Sequence, residues 1–396
     1  MIRSFRYPLL PNKDEEATLT RYLWVCASLY NAALQERRDA WNKHGASINY
    51  NGQSKSLTEI RAVDPEWREL PVIVLRSALR RVDRAFQAFF RRCKSGETPG
   101  HPRFRSAKRY DSFSCGGCCP VRGNRVHLPK VGYVKFNQYR PLRGKVLDAI
   151  VRREAGKWFV IFQCDIGAAP SPVDLATVPD GRIVGIDVGL RALATLSTGE
   201  TITNPRHGAK AAAGLARRQR ILARRKRGST SRKRALLLVQ KAYAKIANQR
   251  KDTAWKAAGN LVRRFDLIAY EDLDVAGMVH GNLAKSIHDA AWRQLTRAIS
   301  CKAEEAGKHA VAVDPRGTSQ ECSGCGGRNE KPKTLAVRVH ACEHCGLVLD
   351  RDHNAGLNIK ARALGRSAAT KPGADPGAVR SPKRSKAGSN AVLVSN

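Results

Sequence analysis

The chain has 396 residues, more than one hydrophobic core usually organises, so two or more domains are expected. Hydrophobic residues make up 42%, with 32 Gly and 18 Pro, which excludes a disordered or collagen-like chain. Lys and Arg number 71 against 34 Asp and Glu, a net charge of +37, and an excess of that size points to a polyanionic partner, nucleic acid first.

No apolar run approaches the ~18–20 residues of a membrane span. The opening MIRSFRYPLLPNKDEE lacks the apolar core of a signal peptide, so a cytoplasmic protein with no membrane partner is expected. In that reducing compartment the eleven cysteines do not form a disulfide framework. Cys26, Cys93, Cys164 and Cys301 read as core fillers, and Cys115, Cys118 and Cys119 as a turn with incidental thiols.

Residues 2–8 predict a short strand. From Leu19, the apolar residues Tyr22, Leu23, Cys26, Leu29, Tyr30, Ala33 and Leu34 fall three or four apart and predict a helix. A second helix is expected from about Val72 to Arg92, with Leu75, Leu79, Val82, Phe86, Phe89 and Phe90 on one face. Arg76, Arg80 and Arg81 populate the rest with few acidic partners, which suits phosphate contact. Residues 122–166 break into short strands separated by turn residues, a small antiparallel barrel or sheet. The strand at 2–8 can join it, which makes the helices an insertion. Residues 167–181 are a Pro/Gly-rich linker.

A new domain starts at Arg182. RIVGIDVG is an apolar strand, and RALATLSTGETIT two strands around a turn. Long helices follow over 205–265, where 19 Lys/Arg face one acid, Asp252. Arg224, Arg225, Lys226 and Arg227 sit in the densest part. Like charges four apart destabilise a helix unless phosphates neutralise them. DLIAYEDLD is another strand, 286–306 a helix, and HAVAVDP a further strand. From Gly365 onward the composition predicts a disordered basic tail.

Two motifs carry chemistry. Cys322-Ser-Gly-Cys325 and Cys342-Glu-His-Cys345, each followed by glycine, fit tetrahedral zinc. Four thiolates leave no open coordination position, so the zinc is expected to be structural; His344, between two of them, is a weak competitor. The second motif is a set of acids. Asp187 ends one strand, Glu271 ends another, and Asp352 precedes a short helix. In a strongly basic protein, carboxylates facing phosphate require divalent cations between them, and hard oxygen ligands suit two Mg²⁺ ions in phosphodiester hydrolysis. Asp350 competes for the third position, Asp272 and Asp274 for the second. Gly189 would let a substrate backbone come close.

The segments GIDVGL (185–190), YEDLD (270–274), SIHDAAW (286–292), TSQECSGCG (318–326) and CEHCGLVLDRDHNAGLNI (342–359) together resemble the TnpB family of transposon-encoded RNA-guided DNA endonucleases. The N-terminal half resembles the family more loosely. The resemblance implies a multidomain α+β fold: a wedge-like β-barrel at 1–12 and 109–180 carrying an inserted helical recognition domain at 13–108. An RNase-H-like (RuvC) nuclease domain would follow at 181–315 and 347–364, interrupted by a zinc ribbon at 316–346, with the tail at 365–396. It implies a catalytic triad of Asp187, Glu271 and Asp352, favouring Asp352 over Asp350. Its implied partners are a guide RNA from the transposon end and double-stranded target DNA beside a short motif; the sequence leaves the oligomeric state open, with a monomer favoured. A compact type V CRISPR effector and a nuclease-inactive RNA-guided repressor are the alternatives.

Overall fold

The computed structural model describes residues 1–117, 119–334 and 336–365. The fold is mixed α/β in two compact units: Met1–Ser171 with Arg206–Thr253 and Glu305–Gly307, and Pro172–Pro205 with Ala254–Glu304 and residues from Lys308 onward. Most of the expected basic tail, 366–396, and Cys118 lie outside the described residues. No helix among those described is long and apolar enough to cross a membrane.

The first unit opens with strand β1 (Ile2–Leu10) and helices α1 (Lys13–His44), α2 (Tyr50–Val63), α3 (Pro65–Glu69) and α4 (Val72–Lys94). Strands β2 (Ser112–Ser114), β3 (Val121–Arg122), β4 (Arg125–Leu128), β5 (Gly132–Phe136), β6 (Lys145–Glu154) and β7 (Lys157–Asp165) follow. All seven strands form one sheet in the order β2-β6-β7-β1-β5-β4-β3. β1 lies between β7 and β5, antiparallel to both, so the chain start is an interior strand and the four helices are inserted between sheet partners. Phe5, Tyr7 and Leu9 alternate into the core, as a half-buried strand requires. Asn12 starts α1 through a reciprocal capping box with Glu15, and Gly45, in the left-handed region at φ 61°, ends it. Leu19, Leu23, Cys26 and Leu34 on α1 are buried in the same cluster as Leu75, Leu79 and Val82 of α4. Cys93 corrects an expectation. It is exposed, because it lies in the last turn of α4, beyond the helix's buried residues, which end at Val82. Cys115 and Cys119 are buried in the core.

The second unit is built on β8 (Ile183–Val188), β9 (Ala192–Leu196) and β10 (Thr201–Thr203). Next come α5 (His207–Ala223) and α6 (Thr230–Arg264), of which α5 and α6 up to Thr253 belong to the first unit. Then follow β11 (Leu267–Glu271), α7 (Val275–Met278), α8 (Ala284–Ala290), α9 (Trp292–Glu305), β12 (His309–Val313), β13 (Val339–Ala341), β14 (Val348–Asp350) and α10 (Arg351–Ala363). The sheet order is β10-β9-β8-β11-β12, with β8, β11 and β12 parallel and β9 antiparallel to its neighbours. Both faces are covered, which explains the unbroken apolar runs of β8 and β11. Val184, Ile186 and Ile268 pack with the end of α6 and with α9, whereas Ile183, Leu267 and Ala269 pack with Ile359 of α10. Asp266 ties the strand starts together, bonding the Arg182 guanidinium at 2.7 Å and the Lys308 ammonium at 3.0 Å.

The expected single helix over 286–306 is two helices. Ala291 takes a left-handed conformation (φ 55°) between α8 and α9.

Candidate metal and catalytic site

β8 and β11 run in parallel with Ile186 opposite Tyr270. Asp187 and Glu271 are therefore the next residues on adjacent strands. Side chains alternate along a strand, so both carboxylates project to the face that carries Gly185 and Ala269, the face covered by α10.

The helix reaches that face because two glycines meet. A β-carbon on Gly185 would lie 2.5 Å from the Lys360 backbone nitrogen, and one on Gly356 would lie 3.0 Å from the Ser197 nitrogen. Asp352 is one helical turn before Gly356, on the same side of α10. It belongs to the first turn of this 13-residue helix rather than preceding it. Asp350 is the residue that precedes the helix. Its carboxylate caps α10, accepting from the Asp352 N–H at 2.9 Å and the His353 N–H at 3.3 Å. Asp274 caps α7 in the same way, accepting from Gly277 N–H at 3.1 Å, and Asp272 is exposed.

Asp187 senses the other two acids. Burial holds the Asp187 carboxyl well above the ordinary carboxylate range, and the charges of Glu271 and Asp352 push it further, against the opposing Arg351. Burial also raises Glu271, offset by the Thr318 hydroxyl and by Arg362. The Asp352 carboxylate sits on the Arg351 guanidinium at 3.1 and 3.2 Å, with Arg338 at 3.9 Å. Three carboxylates thus come from three separate elements, but among the described residues only the four cysteines, and not these acids, bring their ligand atoms within 4.8 Å of one another.

The four cysteines converge. The Sγ atoms of Cys322, Cys325, Cys342 and Cys345 all lie within 4.8 Å of one another, a set able to hold a metal ion. Both pairs sit on matching turns. Gly326 N–H donates to Cys322 O at 2.8 Å and Gly346 N–H to Cys342 O at 3.1 Å, with both glycines left-handed at φ 74° and 70°. The His344 ring is turned away onto the Arg328 carbonyl at 2.9 Å. The second pair tips the β13–β14 hairpin, which leads directly into α10.

Several residues that carry the site were not assigned a role from sequence. Buried Thr318 places its hydroxyl against the Glu271 carboxylate. The Trp292 indole N–H donates to the Gly189 carbonyl at 3.0 Å, just past Asp187. Asn354 donates to the Glu321 carbonyl at 2.7 Å and accepts from Ser323 N–H at 2.9 Å. Asn358 donates to the Thr318 and Glu321 carbonyls at 2.8 and 2.9 Å. The two carboxamides thus clamp the first cysteine turn onto α10. All four residues lie in the segments that carried the family resemblance, and that was the available signal.

The basic residues divide. Arg80, on α4, is exposed, 5.7 Å from the Tyr50 ring. Arg81 is committed to the fold, with its guanidinium 4.5 Å from the Tyr110 ring and bonded to Ser112 Oγ at 3.2 Å. Arg76 is half-buried, its Nε without a hydrogen-bond partner among the described residues. Arg224, Arg225, Lys226 and Arg227 are all exposed in the turn after α5, which Arg232 closes by donating to the Leu222 and Arg225 carbonyls at 2.8 and 2.9 Å.

A family model described as "Probable transposase" matches residues 168–281, one for the "Cas12f1-like, TNB domain" matches 292–359, and one for a "Helix-turn-helix domain" matches 1–46. A protein of Streptomyces pristinaespiralis named "Putative RNA-guided DNA endonuclease" is 33% identical over 375 residues, covering 92% of this chain and 90% of its own. InsQ of Escherichia coli (strain K12), which has the same description, is 28% identical, covering 91% and 92%. The CRISPR-associated endodeoxyribonuclease Cas12f1 of Sulfoacidibacillus thermotolerans is 25% identical over 224 residues, about half of each chain.

Proposed function

The chain belongs to the TnpB-type family of RNA-guided DNA endonucleases, and from that membership we propose a transposon-associated nuclease that hydrolyses target DNA with Asp187, Glu271 and Asp352. We read the five-stranded sheet with α10 as the RuvC-type, RNase-H-like nuclease domain, and the seven-stranded sheet with its inserted helices as the wedge and recognition domains. The observation that supports the catalytic assignment is that Asp187 and Glu271 end adjacent parallel strands on the face covered by α10, the helix that carries Asp352.

Asp187, Glu271 and Asp352 would hold two Mg²⁺ ions. Ions in such a set activate a water and stabilise the leaving oxygen of a phosphodiester. The protein's own part is positional. Trp292 fixes the carbonyl of Gly189 beside Asp187, the Thr318 hydroxyl orients Glu271, and the cap from Asp350 holds the turn that presents Asp352. The Arg351 guanidinium pairs with the Asp352 carboxylate and offsets its charge. The four cysteines would hold structural zinc, because four thiolates complete its tetrahedral shell.

The substrate would be double-stranded DNA beside a short motif, chosen by pairing with a guide RNA from the transposon end, and bound by one copy of the chain. The exposed Arg224–Arg227 turn and Arg80 would supply phosphate contacts. The test is plasmid cleavage by the RNA-loaded protein. Asp187→Ala should abolish cleavage and keep DNA binding; full cleavage by that variant refutes the catalytic assignment.

A further inference from the structure

A cavity of about 590 Å³ opens at the same pole of the sheet as the acids, but on the α9 side, and Glu271 contributes to its wall. Its size is within the ~300–1,000 Å³ typical of sites for small ligands. None of the functional assignments above uses it. From these features we infer that it receives one unstacked nucleotide of the DNA strand being cut, an inference that rests on the nuclease reading.

Three observations favour that occupant. First, Arg293 and Arg297 line the cavity one helical turn apart on exposed positions of α9, and neither is paired with a carboxylate among the described residues. Two guanidiniums at that spacing match a phosphate. Second, the interior offers acceptors. The Ser300 hydroxyl donates to the Thr296 carbonyl at 3.1 Å and stands 2.9 Å from the Tyr270 hydroxyl. With Ser300's proton so used, Tyr270 donates to Ser300, and its own hydroxyl oxygen, in the cavity lining, is left to accept. The exposed Asp272 carboxylate is a further acceptor in the wall. Acceptors suit the amino and imino groups of a base edge, whereas a second phosphate would be repelled. Third, Glu271 borders this cavity while its carboxylate projects to the α10 face at the same strand end, so a nucleotide held here would lie across the end of β11 from the acids.

The experiment uses RNA-loaded protein carrying Asp187→Ala, so that DNA stays uncut, and guide-matched duplexes with one 2-aminopurine moved along the strands. The expected result is a fluorescence change confined to one position beside the cut. Ala312→Phe, which fills the cavity from its exposed rim, should abolish that change. With Asp187 restored, the pair Arg293→Ala/Arg297→Ala should raise KM for DNA about tenfold while kcat stays within about twofold, as loss of one nucleotide's binding predicts. That pair lies on an exposed helix face and tests the idea even if Ala312→Phe fails to fold. Guided cleavage by otherwise unaltered protein, together with a signal uniform along the strand or an unchanged KM in the arginine pair, overturns the inference alone. Absence of cleavage by the unaltered protein overturns the nuclease reading and this inference with it.

Discussion

Gly185 packs directly on the Gly356 carbonyl, β8 against α10, with no room for a side chain on Gly185, and Gly356 in turn fits tightly against Ser197. Gly185→Ala would drive a methyl group into the Gly356 carbonyl and the Lys360 nitrogen, both backbone atoms that a rotamer change cannot move. The helix must lift, and Asp352 with it. The expected outcome is a loss of at least ~1–3 kcal/mol in thermal unfolding, together with loss of cleavage. Gly259→Ala is the contrast. It lies within α6 with open space around it, and should hold or raise the melting temperature by removing a helix-weakening glycine.

Asp350 and Asp352 should separate cleanly. Asparagine caps a helix about as well as aspartate, so Asp350→Asn should cut within a few-fold of the unaltered rate. Asp352→Asn keeps the shape and removes the anion, and should lose at least ~10³-fold in single-turnover cleavage, as loss of transition-state charge stabilisation does elsewhere. Equal losses in the two variants would show that Asp350 also serves the reaction.

Zinc measured on purified protein should be one per chain. Cys342→Ser should lower it and lower the melting temperature, because metal binding here is folding energy. Asn354→Ala should leave zinc content unchanged but uncouple the cysteine turn from α10, so cleavage should fall further than zinc does. Parallel loss of zinc and activity in Asn354→Ala would refute the coupling.

Acid stability should depend on Asp266. The Arg182 guanidinium, and Lys308 beside it, lower its carboxyl from 3.8 to about 2. A depressed carboxylate contributes stability above pH ~4 and loses it as the pH falls through about 2. Asp266→Asn should therefore melt earlier than the unaltered chain at neutral pH, and the gap should close toward pH 2. A gap that stays constant down to pH 2 would mean that packing, not charge, sets the effect.

Alanine at Arg224, Arg225, Lys226 and Arg227 together should flatten the salt dependence of DNA binding, by up to ~0.9 in log–log slope for each phosphate contact removed. An unchanged slope would place the contact surface elsewhere.

The residues that could be read from sequence are those whose signal is local. β8 and β11 announce themselves because sheet strands buried on both faces are apolar throughout, and an acid closing such a run stands out. Paired cysteines on glycine turns are equally local. The break at Ala291 was invisible, since alanine is the best helix former; the residue after it, Trp292, bonds the Gly189 carbonyl about a hundred residues away, a contact with no local signal. Asn354 and Asn358 were hidden for the same reason. Their partners are backbone carbonyls and an amide far along the chain, and a carboxamide in a helix gives no hint of what it will bond. Arg81 shows the converse: a charge that composition assigns to solvent or phosphate is spent on a tyrosine ring inside its own fold.

The acids come from β8, β11 and the last described helix, and 165 residues separate the first from the third. A ribosome making this protein releases Asp187 and Glu271 long before Asp352 exists. A copy truncated before α10 thus carries no complete set of these carboxylates.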